Sequence, residues 1–162
     1  MTNKNLYIIG NGFDIYHGVK SSYFHFKEYL NKNTPNIFEC FIKYVITEDS
    51  WSNFEEALAK LDVDYILDNC SCYLKSYGAD DWRDSYHHDY EYEIDIIIEN
   101  LTNHLANNFK EWVQQLEIPM PNTMRHNPYL NLNINSYYLN FNYTTTLNEL
   151  YNISETNILH IH

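Results

Sequence analysis

Cysteine, glycine, positive charge and long apolar runs are all scarce in this sequence. The three cysteines, Cys40, Cys70 and Cys72, are odd in number and two stand one residue apart, which implies reduced cytosolic thiols and no disulfide framework. Cys70 and Cys72 read as ordinary thiols near a helix end, because a zinc site needs further ligands at defined spacing. No stretch approaches the ~20 apolar residues that span a bilayer, and the first apolar run is too short for a signal-peptide core. The expectation is a soluble, cytoplasmic protein with no membrane partner. Ten Lys and Arg against twenty-two Asp and Glu give a net charge of −12. With no basic stripe to override that charge, generic nucleic acid is disfavoured as a partner.

Of four glycines, Gly10, Gly12 and Gly18 cluster in LYIIGNGFDIYHG, residues 6 to 18. Leu6, Tyr7, Ile8 and Ile9 form a continuous apolar run, as expected of a strand covered on both faces, and Gly10-Asn11-Gly12 breaks it with a tight turn. A helix is expected after Ser22 as N-cap, with Tyr23, Phe26 and Leu30 on one face. A second starts at Pro35, with Phe38, Phe41, Ile42 and Val45 as its stripe, and runs out near Thr47. Ser52 and Glu55 have capping-box spacing, followed by Phe54, Leu58, Leu61 and Tyr65, and Trp51 can pack on that helix's first turn.

Residues 72 to 93 lose periodicity and become acidic and aromatic. Such stretches are usually solvated loops, although Gly78 to Glu93 could form a lid or a contact surface. Within it, His87 and His88 are adjacent, point in different directions and make a poor metal pair. From Glu93 to Leu116 apolar residues recur at three- and four-residue steps, predicting a long amphipathic helix that Pro119 and Pro121 end. Alternation from Leu130 predicts a strand ending near Phe141, Thr146 and Glu149 again have capping-box spacing, and NILHIH reads as a third strand. The predicted fold is α/β, a small parallel Rossmann-like sheet with a large helical insertion between its first two strands. It forms one domain over 1–162, with 1–20 and 129–162 as sheet core and 21–118 as the insertion.

Ligands of open α/β sheets sit at the carboxyl ends of the strands, where turn amides meet an anion. Here those ends carry Gly10-Asn11-Gly12-Phe13-Asp14, Asn142-Tyr143-Thr144 and a terminal His162, a nucleotide-type pocket with imidazole as base. The turn lacks the third glycine of the dinucleotide fingerprint and the lysine of the phosphate loop, and Asn11 and Asp14 also suit turns and caps. Asp14, His160 and His162 around a divalent ion would instead make a metal-dependent hydrolase or nuclease. In the favoured reading no metal ligand is assigned.

IIGNGFD with His17-Gly18, Trp51 to Glu55, FNYTTTLNELY and the final HIH together resemble the AbiH family of bacterial abortive-infection, anti-phage proteins. In that family the last histidine precedes a glycine and more sheet, so a chain ending at His162 looks like the N-terminal part of a longer member, or a shortened one. More distantly, the same skeleton is similar to sirtuin-like NAD-binding domains. That resemblance implies that Gly10, Asn11, Gly12, Phe13 and Asp14, with Tyr143 and Thr144, hold NAD or another nucleotide, that Asn142 orients the ribose, and that His162 is the base. Thr144 where those proteins usually carry an acid, and the lack of zinc-binding cysteine pairs, argue against deacetylation and leave cleavage of the nicotinamide glycosidic bond. The expectation is a phage-defence protein with a nucleotide-binding, NAD-hydrolysing core, and the alternative is a non-catalytic sensor of a nucleotide or a phage protein. The strand end at His162 is expected to be frayed or stabilised by a partner chain, a phage protein or a second copy.

Overall fold

The computed structural model describes residues 4–74, 76, 78–80, 82–83, 85–120 and 129–161, without the side chains of Tyr86 and His87. The expected base His162, the acidic-stretch residues Lys75, Asp81 and Asp84, the helix stop Pro121 and the ring of His87 lie outside the described residues. The chain divides into two compact units, one of Met1–His25 with Glu111–His162 and one of Phe26–Lys110. Among the described residues no helix is long and apolar enough to cross a membrane.

The first unit holds a parallel three-stranded sheet in the order β1 (Leu6–Ile9), β2 (Tyr137–Asn140), β3 (Ile158–His160). Ile9 pairs with Asn140, and Asn140 with His160, so the strands stop level with one another. Side chains alternate across a strand, and one face packs Tyr7, Ile9, Tyr138 and Ile158 against Leu147 and Ile153. Tyr7 and Tyr138 stack with ring centroids 5.0 Å apart. The other face is open: Leu6 is 66% and Ile8 70% exposed, and Tyr137 and Leu159 are exposed beside them. The expectation of a strand covered on both faces is therefore corrected, since an apolar run shows that both faces are greasy, and not that both are covered. β2 is also shorter than the alternation from Leu130 suggested, because a turn that the Ser136 amide closes on the Asn133 carbonyl at 2.9 Å precedes it. Helix α1 (Asn11–Tyr16) follows β1 directly, and a later short helix (Thr146–Tyr151) follows β2.

Helix α2 (Tyr23–Asn33) buries Phe26 and Leu30 as expected, while the Ser22 hydroxyl pairs with the His25 ring. In the second unit, α3 (Pro35–Tyr44) buries Ile37, Phe41 and Tyr44, with Val45 just beyond it. Ile42 is exposed, so the stripe is rotated from the one expected. Trp51 is buried against Phe41 and Phe54 with centroids 4.5 and 5.5 Å away, and its φ of 56° is a left-handed conformation that a bulky residue adopts only when packing over-determines it.

The Ser52 capping box does not form. Ser52 donates to the Glu48 carboxylate, and α4 (Phe54–Ala59) has Asn53 at its N-cap. The single helix expected there breaks near Lys60, and α5 (Val63–Cys70) starts on Asp62, whose carboxylate accepts from the Tyr65 amide at 2.9 Å. The second half of the acidic stretch is helical, contrary to the loop expected: α6 (Ser85–Glu99) runs through a π-helical turn, Asn100–His104, into α7 (Leu105–Gln114). Helix α8 is the short one after β2, Thr146–Tyr151, with Thr145 and not Thr146 at its N-cap.

These caps separate two substitutions. Asp62→Ala removes a bonded cap and should lower stability by about 1 kcal/mol, whereas Ser52→Ala removes an exposed side-chain pair and should change it by less than about 0.5 kcal/mol. Denaturant midpoints of the two variants check the difference.

Candidate functional site at the strand ends

The site begins where β1 ends. Gly10 has an ordinary extended backbone, φ −117° and ψ −179°, and its carbonyl accepts from the Phe13 amide at 2.9 Å to start α1. Among the described residues a Cβ on Gly10 or Gly12 would meet nothing within 4 Å, so no packing against them requires either glycine. Both are exposed, with Asn11, along the lip of the strand ends. Gly18 differs: its φ of 82° favours glycine, and it closes the turn after α1. His17, just before it, is buried with its tautomer fixed. The Phe13 carbonyl only accepts, so Nδ1 donates to it at 2.7 Å, and Nε2 accepts from the Tyr151 hydroxyl at 2.6 Å. Tyr151 in turn accepts from the Leu130 amide at 3.0 Å.

Asp14 is 1% exposed. Its Oδ2 accepts from the Thr144 hydroxyl at 2.6 Å, which uses that hydroxyl's one proton, so Thr146 is the donor in the 2.9 Å contact between the two threonines. Asp14 Oδ1 has no hydrogen-bond partner among the described residues. Burial pushes the carboxyl above its ordinary pKa, and the Thr144 hydroxyl bonded to it, with Thr146 behind that hydroxyl and His17 nearby, offsets part of that rise.

Asn142 is 4% exposed, and its side-chain orientation follows from the Gly10 carbonyl, which only accepts. Nδ2 donates to it at 3.2 Å, and Oδ1 is left without a partner among the described residues. The Asn142 amide donates to Asn140 Oδ1 at 3.2 Å, which turns the Asn140 Nδ2 toward His160 Nδ1 at 3.5 Å. His160 Nε2 lies 3.1 Å from Glu155 Oε1, and the other oxygen of that carboxylate accepts from Asn148 at 2.9 Å. A continuous polar chain therefore runs from Glu155 through His160, Asn140 and Asn142 to Gly10.

Of the residues expected at the site, Gly10 is thus bonded to Asn142 and Asp14 to Thr144, as two separate pairs. Asn11 spends its side-chain oxygen on the Ser21 hydroxyl at 2.5 Å, and Phe13 is half-buried against His17 and Tyr151. Tyr143 is exposed and, with Thr144, Thr145, Glu149, Val113, Leu116 and Ile118, lines a cleft of about 260 Å³. That is below the 300–1,000 Å³ usual for small-molecule pockets and suits a single ring. Asn140, Thr146 and Glu155 were missed. Asn140 alternates with Leu139 like any half-exposed strand residue, Thr146 has the spacing of a capping residue, and Glu155 sits in a polar stretch with no pattern. Among the described residues no group of three or more His, Cys, Asp or Glu could hold a metal ion.

A family model described as bacteriophage abortive infection AbiH matches residues 6–162. No curated protein and no solved structure matches the chain.

The buried carboxyl has a pH signature. Its folded-state pKa lies above the unfolded value of 3.8, so the folded protein holds this proton more tightly. Asp14 then favours folding most at pH below 3.8, and that contribution is lost as pH rises through the folded-state value. Asp14→Asn should remove this slope and raise the melting temperature at pH 7. Thermal melts of both proteins across pH 3 to 8 check it.

Proposed function

The chain belongs to the AbiH family of bacteriophage abortive-infection proteins, and on that premise we propose that its sheet end is a nucleotide site that cleaves the nicotinamide glycosidic bond of NAD. One observation carries the reading. Among the described residues Asp14 Oδ1 and Asn142 Oδ1 are buried acceptors without donors, on two residues bonded to Thr144 and to Gly10. An orphaned buried acceptor costs about 1–3 kcal/mol, so native proteins keep such atoms chiefly where something else completes them. The missing partner must donate hydrogen bonds, as the vicinal hydroxyls of a ribose do. The open space over Gly10 and Gly12 supports the same reading, because it lets a ligand approach the backbone closely.

In the reaction, the bond between ribose C1′ and the nicotinamide nitrogen breaks and its electron pair leaves with the nitrogen. Positive charge develops on the ribose, and a water adds to C1′ and loses a proton. Asn142 and Asp14 would hold the ribose hydroxyls, and the Asp14 carboxylate would favour the cationic ribose when ionised. The cleft beside Tyr143 and Thr144 would take one ring. Loss of cellular NAD is a physical route by which an infected cell could stop growing, in keeping with the family's abortive-infection character.

Gly12→Ala separates fold from ligand. Glycine inside a helix costs roughly 1 kcal/mol relative to alanine, and none of the described residues occupies the space of the new methyl, so the variant should melt no lower than the natural protein. It should lose the stabilisation that millimolar NAD or ADP-ribose gives the natural protein. Nicotinamide release, followed by chromatography, reads the reaction. No melting shift with either compound defeats the nucleotide reading, and a shift without nicotinamide reduces the site to a sensor.

A further inference from the structure

We infer that His160, held by Glu155 and Asn140, is the base of this site, taking at Nδ1 the proton of the attacking water. The inference rests on the nucleotide reading of the strand ends and goes beyond it by assigning the proton acceptor. The family resemblance gave that role to His162.

The tautomer of His160 is set independently from both sides. On one side the Glu155 carboxylate only accepts, so His160 Nε2, 3.1 Å away, carries the proton and donates it. On the other side the Asn142 backbone amide only donates. It fixes Asn140 Oδ1 toward itself and leaves Asn140 Nδ2 to face His160 Nδ1, which must therefore be the acceptor. Both constraints give the same imidazole: Nε2 protonated, with the Nδ1 lone pair aimed along the strand ends toward Asn140.

The contacts to Asn140 and Glu155 are unequal. At 3.5 Å the Asn140 contact is at the long limit of a hydrogen bond, so a water or hydroxyl can displace it at little cost. The Glu155 contact is shorter, and its carboxylate is anchored through the second oxygen by Asn148, which also donates to the Ile153 carbonyl at 3.1 Å. An anchored carboxylate on one imidazole nitrogen, with the other lone pair directed at the reacting water, is the arrangement that orients a general base and stabilises the imidazolium it becomes. The ring is 29% exposed, which gives the proton a route to solvent after each turnover.

Strand register places this group beside the site. His160 pairs with Asn140, Asn140 with Ile9, and the residue after Ile9 is the Gly10 whose carbonyl holds Asn142. The step balances. The water proton goes to His160 Nδ1, its oxygen bonds to C1′, and the C1′–N electron pair departs with nicotinamide.

The first test is the nitrogen-15 NMR spectrum of the natural protein, in which the neutral His160 ring should carry its proton on Nε2. An Nδ1–H tautomer overturns the inference whatever the activity. The second is nicotinamide release from NAD. His160→Gln should lower kcat by about 100-fold or more while the NAD-induced melting shift persists. Glu155→Gln, a positioning change, should lower kcat less and leave KM unmoved. If the natural protein releases nicotinamide and His160→Gln releases it at the same rate, the base is elsewhere and the nucleotide reading stands. Full activity in His160→Gln with loss in His162→Gln returns the role to His162. If the natural protein releases none, the cleavage reading fails and this assignment fails with it.

Discussion

The level ending of three parallel strands is the constraint on which the rest depends. Ile9, Asn140 and His160 are paired across the sheet, so the turn after β1, the corner after β2 and the imidazole on β3 arrive at one edge. The register is held from the packed face. A slip of one residue would exchange Tyr138 and Asn140 with Tyr137 and Leu139, sending the buried tyrosine to solvent. Burial of Ile9, Tyr138, Leu147 and Ile153 contributes roughly 1.5–3 kcal/mol each, which outweighs the cost of two orphaned acceptors at about 1–3 kcal/mol each. The apolar face therefore sustains a polar edge that would be unfavourable alone.

That edge is where local rules are broken. A buried carboxyl with a raised pKa, a buried amide whose oxygen has no donor among the described residues, and two glycines that no described residue packs against occur within a few residues of two strand ends. Proteins concentrate such departures at functional sites and sustain them from elsewhere in the fold. Trp51 is a separate case, in the other unit. Its left-handed backbone is enforced by aromatic packing with Phe41 and Phe54, and it is a matter of folding.

Much of the sheet was legible because its signals are local. Leu6 to Ile9 is apolar without interruption, Gly10-Asn11-Gly12 punctuates it, and Asn142 follows an alternating run, so the two corners could be named from sequence. Covering of the sheet was not legible, since Leu6 and Ile8 look the same whether a second layer exists or not. Capping spacing misled twice. Ser52 and Thr146 each have an acid three residues on, yet the Ser52 hydroxyl goes to Glu48 and Thr146 is drawn into the Thr144 and Asp14 set, while Asp62, with no such pattern, is the residue that caps. The polar chain from Glu155 to Gly10 joins residues up to 145 positions apart, and no spacing in a sequence reports that. Asn140 illustrates the limit: strand alternation gives its face, and only the pairing with His160 gives its use.

The central claim is that Asp14 Oδ1 and Asn142 Oδ1 are acceptors for a ribosyl ligand. A crystal structure of the protein with ADP-ribose tests it most directly. Ribose hydroxyls are expected within hydrogen-bonding distance of both oxygens, with Gly10 and Gly12 against the ligand. Both oxygens satisfied by buried water, with ADP-ribose absent from the strand ends at saturating concentration, would contradict it.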